Sequence, residues 1–361
     1  METTSISSVQ IVLIVLAFFV ALIAVATVKK VFYKLRYKNK YYIFPRPSIN
    51  GIAYIAMVVS LSVAVLLLLT VITANAFAVL FRAFPGTRIT IEGILIKIGG
   101  LLFGPFTGIF IGLLTDILSV VMTAGIFHYG YFISAMAYGL LSGLIKTIVT
   151  YSSNNKFKFS IYSTIFLIVI LVLSFFYFYS VSFNHPIKLN FFIDLPEITF
   201  TMIISIFISF FSLTIGIIWL FYFISWRRQM LLKKLNPSTF GEGNNINKIE
   251  YTKSGKRKKP KTDKFLTFCP AIVCVIANET IINTIMMPFF DADLSTLQYT
   301  DWFAIRILLF IPMIVFNMVF IYPVYSIVAP LIKYNYRDDF IDKTPSNLEM
   351  KKTGVINEKN R

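Results

Sequence analysis

Residues 103–116 read FGPFTGIFIGLLTD. Taken in steps of four it gives Gly104, Gly108, Gly112 and Asp116. A helix turns once in about 3.6 residues, so these positions share one stripe. Three of them carry no side chain and the fourth carries a charge. The residues around them are oily enough to lie in a bilayer. A membrane helix with a glycine groove ending in a carboxylate needs a partner for both features.

Working outward, two further stripes of small residues appear: Ala56, Ser60 and Ala64, then Ala135, Gly139 and Gly143. Small residues four apart let helix backbones approach closely, and close van der Waals contact drives helix association in lipid. Some of these stripes are expected to seal the bundle and one to face a partner protein.

Composition agrees with a membrane setting. The chain has 361 residues, 57% hydrophobic and 14% charged. A soluble protein would carry about 25% charge. Several apolar runs reach the ~20 residues that span hydrocarbon. The expected fold is an all-α, polytopic integral membrane helical bundle. The net charge of +17 sits in the gaps between apolar runs, as the positive-inside rule places it, rather than in a nucleic-acid patch. Cys269 and Cys274 lie inside an apolar run without a metal-ligand cluster, so they read as buried packing residues, with no disulfide and no metal.

The basic gaps set the topology. The run 9–28 has no Lys or Arg before it and seven basic residues, Lys29 to Arg46, after it. A secretory signal carries its basic residues first. The run therefore reads as a retained helix with its N-terminus outside and its C-terminus in the cytoplasm. Runs then follow at 51–80, 91–103, 106–123, 130–149, 160–182, 198–225, 265–288 and 302–330, giving nine helices. The outside loops are 81–90, 124–129, the loop holding His185 and Asp194, and 289–301 with Asp291 and Asp293. The charge run from Arg227 to Lys264, including KRKKPK at 256–261, reads as a disordered cytoplasmic loop. The resulting division is 1–47, 48–150, 151–264, 265–330 and a cytoplasmic tail 331–361, in a cell-membrane protein.

Several chemistries are excluded. There is no GxxxxGK[ST] loop; Ser254-Gly255-Lys256-Arg257 has the wrong spacing. There is no HExxH and no GxSxG. With only His128 and His185, a catalytic cluster is hard to assemble, and no catalytic residue is assigned. A binder or carrier remains, and its intramembrane charges are the place to look, since each costs about 3 kcal/mol at mid-membrane. These are Glu92, Lys97, Asp116, Glu279 and Arg306. The bland readings are that Glu92 pairs with Lys97, that Asp116 bonds a neighbouring helix, and that Arg306 snorkels to the interface.

Residues 88–145 resemble the substrate-binding subunits of energy-coupling factor (ECF) vitamin transporters. The resemblance rests on Arg88-Ile-Thr, Gly99-Gly-Leu-Leu-Phe-Gly-Pro105, Gly108, Gly112, Asp116, Phe127-His-Tyr-Gly-Tyr131 and the Ala135, Gly139, Gly143 stripe. The C-terminal part resembles the folate family at Ile282-Asn-Thr284, Arg306 and Ile311-Pro312. Together these cover about 50–150 and 265–330. The chain departs from that family in its first helix, in the helix pair at 160–225, and in Ile285-Met286-Met287 where a Trp often follows the Asn-Thr pair.

The resemblance implies a six-helix core around a pocket open to the outside, with the first helix and the 160–225 pair as additions. It implies a vitamin ligand, most readily folate, a separate ECF transmembrane subunit and two ATPase subunits as partners, and no cofactor. Ala56, Ser60 and Ala64 would meet the transmembrane partner. Asn283 and Thr284 would serve the ring edge of a folate, and Phe127, His128 and Tyr129 would cover a ring face. Arg88 or Arg306 would take its carboxylate tail, and Asp116 would organise polar groups nearby. Riboflavin is the nearest alternative ligand. A membrane transferase using Asp291 and Asp293, or an assembly protein working through 227–264, are the alternatives of other classes.

Overall fold

The structure, a computed structural model, describes residues 49–72, 85–123, 127–152, 155–182, 199–235, 264–295, 297–330 and 332, with isolated positions before 49. Within these, the side chains of 70, 85–89, 181–182, 229 and 231–235 are not described. The expected first helix, the charged loop beyond 235 and the tail lie outside the described residues. The chain divides into two compact units, 55–333 and 1–54 with 334–361. The first holds the bundle.

All regular structure among the described residues is helical. The elements are α1 (Ile49–Ile72), α2 (Pro85–Phe103), α3 (Pro105–Thr123), α4 (Tyr129–Tyr151), α5 (Lys156–Ser182), α6 (Phe200–Leu235) and α7 (Lys264–Asn278). A π-helical segment, Glu279–Met286, then joins α7 to α8 (Met287–Leu294), and α9 (Tyr299–Val328) closes the bundle. Seven of these helical stretches are long and apolar enough to cross a membrane. The protein is a polytopic, all-α membrane bundle. Helix is what hydrocarbon demands, because each backbone polar group must find its partner within the segment.

α2 starts at Pro85, so residues 85–90 of the loop expected at 81–90 are helical, and two later boundaries also differ from the sequence expectation. First, α6 continues past Trp226 to Leu235, so Arg227 and Arg228 are helical and the charged loop starts later. Second, the helix expected to end at 288 runs on through α8 to Leu294. Asp291 and Asp293 are therefore helical rather than in a loop, with Asp291 buried and Asp293 exposed. Pro288 sits in the first turn of α8, where a proline without an N–H is tolerated.

The glycine stripes lock together. Gly104 has φ 91°, a left-handed conformation that favours glycine, and it turns the chain from α2 into α3. A Cβ at Gly108 would lie 2.3 Å from the Gly139 carbonyl oxygen, and one at Gly139 would lie 2.0 Å from that of Gly108. At Gly112 a Cβ would come within 2.3 Å of the Ala135 oxygen, and at Gly143 within 2.2 Å of Pro105. So α3 and α4 run antiparallel in backbone contact. Gly100 of α2 meets the same surface, 2.6 Å from the Gly139 oxygen for an added Cβ. Two of the three stripes thus face each other, as expected of stripes that seal the bundle.

The third stripe behaves differently. Ala56, Ser60 and Ala64 are exposed on α1. The Ser60 hydroxyl donates to the Met57 carbonyl at 3.0 Å, so its polarity is spent within its own helix.

The pair α5–α6 is joined to the rest by aromatic rings. Phe207 lies 4.7 Å from Phe178 and 4.5 Å from Phe310 of α9, centroid to centroid. Phe178 reaches Phe303 at 5.6 Å, and Phe221 stacks on Phe268 of α7 at 4.9 Å. Such ring pairs add about 0.5–1.5 kcal/mol each beyond area burial. The pair is built into the bundle rather than appended to it.

Candidate functional site

A line of polar groups runs along the seam between α2 and α4 on one side and α7, the π segment, α8 and α9 on the other. It begins nearer the Gly104 end. There Cys274 Sγ and Asn278 Nδ2 both donate to Ser142 Oγ, at 3.2 and 3.1 Å, and Ser142 passes its own proton to the Tyr138 carbonyl. Neither cysteine is in a disulfide, and both are buried.

One turn further on lies a buried ion pair. Lys97 Nζ donates to Glu279 Oε1 at 2.7 Å and to Asn317 Oδ1 at 3.0 Å, and it sits 4.6 Å from the Tyr138 ring centre. Asn317 Nδ2 donates to the same Glu279 oxygen at 3.1 Å and to the Met313 carbonyl. Glu279 Oε2 accepts from Asn283 Nδ2, and Asn283 Oδ1 accepts from the Tyr138 hydroxyl. Lys97 and Glu279 are at most 1% exposed. A buried pair like this is supportable only when its remaining valences are also bonded, as they are here. Lys97 therefore pairs across the bundle with Glu279. The local Glu92–Lys97 pair of the bland reading does not form, because a spacing of five places the two on different helix faces.

The π segment supplies much of this geometry. It buries Glu279, Thr280, Ile282, Asn283 and Thr284. The Thr284 hydroxyl donates back to the Glu279 carbonyl at 2.9 Å, five residues away. Such widened turns are rare inside helices and are frequent at functional sites.

Toward the Tyr129 end stands a second charged group. Tyr131 donates its hydroxyl proton to Asp291 Oδ1 at 2.7 Å. Arg306 donates to Asp291 Oδ2 from Nε at 3.2 Å and from Nη2 at 2.6 Å. The Arg306 side chain is 12% exposed and that of Asp291 3%. The bland reading of Arg306 as an interfacial snorkel gives way here, since its head is turned onto a buried acid.

At the very end, His128 closes the seam. The Gly130 amide donates to His128 Nδ1 at 3.3 Å, capping α4. Nδ1 is thus the unprotonated nitrogen, and Nε2–H donates to Asp293 Oδ2 at 3.1 Å. The Tyr129 hydroxyl donates to the same oxygen at 3.2 Å. The rings of His128, Tyr129 and Phe290 pack at 4.5–6.2 Å. A Cβ at Gly130 would strike the Phe290 ring at 2.2 Å, so this corner is tightly fitted.

The expected ligand residues are thus placed as follows. His128, Tyr129, Asn283 and Arg306 lie along the seam. Asn283 and Thr284 are engaged by protein groups rather than presented as an open edge. Phe127 is exposed and packs beside Phe132 at 5.9 Å. Asp116 is buried on α3, one turn beyond Gly112. The Arg88 side chain is outside the described ones. Tyr131, Tyr138 and Asn317 were not singled out by spacing. Tyr131 and Tyr138 are seven apart on one face of α4, and Asn317 interrupts an apolar run, which are the signals that mark them. No group of three or more His, Cys, Asp or Glu side chains that could hold a metal ion occurs among the described residues.

Comparison with known proteins adds one relative. Over 330 residues the chain is 27% identical to an uncharacterized protein of Mycoplasma pneumoniae, covering 84% of this chain and 68% of the relative. No family model matches the chain, and no solved structure matches it.

Proposed function

We propose that this membrane protein is the substrate-binding subunit of an ECF-type transporter and takes up a vitamin, with folate the first candidate. The observation that carries the reading is the polar seam. In an otherwise apolar bundle, donors, acceptors and rings from six helical segments line one seam. A ligand with a flat ring and polar edges needs such a set. Intramembrane ionisable residues are functional candidates by default. The exposed small-residue stripe of α1 supports the same reading, because it leaves a smooth face for a partner helix. On this reading the Tyr129 end faces outward, and transport energy comes from the transmembrane subunit and two ATPases.

The transferase alternative draws less support. Asp291 is held by Arg306 and Tyr131, and Asp293 Oδ2 by His128 and Tyr129, so three of the four carboxylate oxygens are engaged by the protein.

Direct titration of purified protein in lipid nanodiscs with folate and with riboflavin tests the reading, alongside co-purification with a transmembrane subunit and ATPases. Saturable folate binding together with a four-component complex is expected. Riboflavin binding alone would replace the vitamin. Binding of neither, with no complex, would overturn the proposal.

A further inference from the structure

We infer that Asp291 and Tyr131 hold the Arg306 guanidinium so that its outer edge receives a carboxylate of the ligand. Asp291 is then a positioning residue for an anion subsite at the Tyr129 end of the seam. The inference rests on the transporter reading for the ligand's identity, though not for the subsite's existence.

A guanidinium has five N–H donors in a fixed plane. Nε and one N–H of Nη2 converge on a single oxygen, Asp291 Oδ2. The other Asp291 oxygen is taken by the Tyr131 hydroxyl at 2.7 Å. Tyr131 is 1% exposed, so α4 fixes the carboxylate, and the carboxylate fixes the arginine of α9. Nη1 has no protein partner among the described residues. The edge formed by Nη1 and Nη2 therefore keeps two parallel N–H groups, the fork that matches the two oxygens of a carboxylate. Arg306 also remains more exposed than the acid holding it, as a group reached from the end of the bundle must be.

Charge sharpens the expectation. The Arg306–Asp291 pair is neutral as a unit, so an incoming anion gains directional hydrogen bonds rather than net attraction. Recognition then depends on how well the fork is aimed. Removing the aim should cost tail selectivity without touching the rest of the ligand.

The test compares folate with pteroamide, which ends in a neutral amide and carries no carboxylate, on wild type, Asp291→Asn and Tyr131→Phe in nanodiscs. A second arm follows phenylglyoxal labelling of Arg306 by mass spectrometry, with and without N-acetylglutamate as the anion. Asp291→Asn should lose about tenfold of the folate-over-pteroamide preference and Tyr131→Phe about threefold, with pteroamide affinity unchanged, as expected for one weakened charged hydrogen bond. N-acetylglutamate should slow labelling of Arg306 in wild type and not in Asp291→Asn. Equal losses for both ligands would reduce Asp291 to a packing role and overturn the inference. Tighter folate binding by Asp291→Asn would do the same, since Asp291 would then be competing with the tail. If neither pterin binds wild type but the anion still protects Arg306, the vitamin assignment falls and the subsite stands. Absence of protection in wild type overturns the subsite.

Discussion

The α3–α4 interface and the seam between α4 and α7–α9 share one helix and are built from opposite materials. On one face of α4, Gly139 meets Gly108 with no room for a methyl group. On the other, Tyr131, Tyr138 and Ser142 reach across to Asp291, Asn283 and Asn278. Backbone-to-backbone packing has no alternative arrangement of similar energy, because interiors are close-packed and overfilling is strained. Hydrogen-bonded side chains can exchange one partner for another of like chemistry, including a ligand. The contrast assigns rigidity to α2–α3–α4 and recognition to the seam.

The largest expected break is in the lock. Gly139→Leu places a branched chain where a Cβ already lies 2.0 Å from the Gly108 oxygen. The variant should fail to yield monodisperse protein in size-exclusion chromatography. Recovery of folded protein at wild-type level would mean that α3 and α4 are not held this closely.

Single removal of either charge in the seam comes next. Lys97→Ala or Glu279→Ala leaves the other charge buried and unpaired, a loss of about 3–5 kcal/mol. A thermal-shift measurement should show a large fall in melting temperature for each. The double variant should lose less than the sum, because the two share one network. Additive losses would dissolve the pair.

Asn283→Ala removes the acceptor of Tyr138 and a donor to Glu279. The expected loss is about 1–3 kcal/mol of stability. Folate and pteroamide affinity should fall alike, since Asn283 bonds Tyr138 and Glu279 and neither Arg306 nor Asp291. A loss confined to folate would move the tail to the wrong end of the seam.

Ala56→Leu and Ser60→Leu should barely shift melting or folate affinity, because both positions are exposed. Their effect is expected on co-purification with the transmembrane subunit, which should disappear. A folding defect with the complex retained would make the stripe internal packing. Smallest of all is Gly216→Ala on α6, where an added Cβ meets nothing within 4 Å. It should be neutral or gain up to about 1 kcal/mol of helix propensity.

The lock was legible from the sequence and the seam only in part, for a physical reason. Glycines four apart declare a flat helix face whatever that face meets, so Gly104–Gly112 and Ala135–Gly143 could be read locally. Lys97 and Glu279 are 182 positions apart, and nothing in either neighbourhood names the other. Their presence as intramembrane charges was readable; their pairing was not. Asp291 reads as an outside-loop residue because 289–301 holds only acidic charges. Its side chain is buried on a part-exposed helix because Arg306, fifteen residues on, and Tyr131 neutralise and bond it. The α5–α6 pair read as an addition by its position in the chain. Its phenylalanines match those of α9 in space, a match that no spacing along the chain records.

The central claim is that the seam is a ligand site. It is tested most directly by mass spectrometry of small molecules released from purified protein, wild type beside Asn283→Ala. The account predicts a folate released from wild type in near-stoichiometric amount and strongly depleted in the variant, with the variant still folded. No vitamin in wild type, or equal amounts from both proteins, would contradict it.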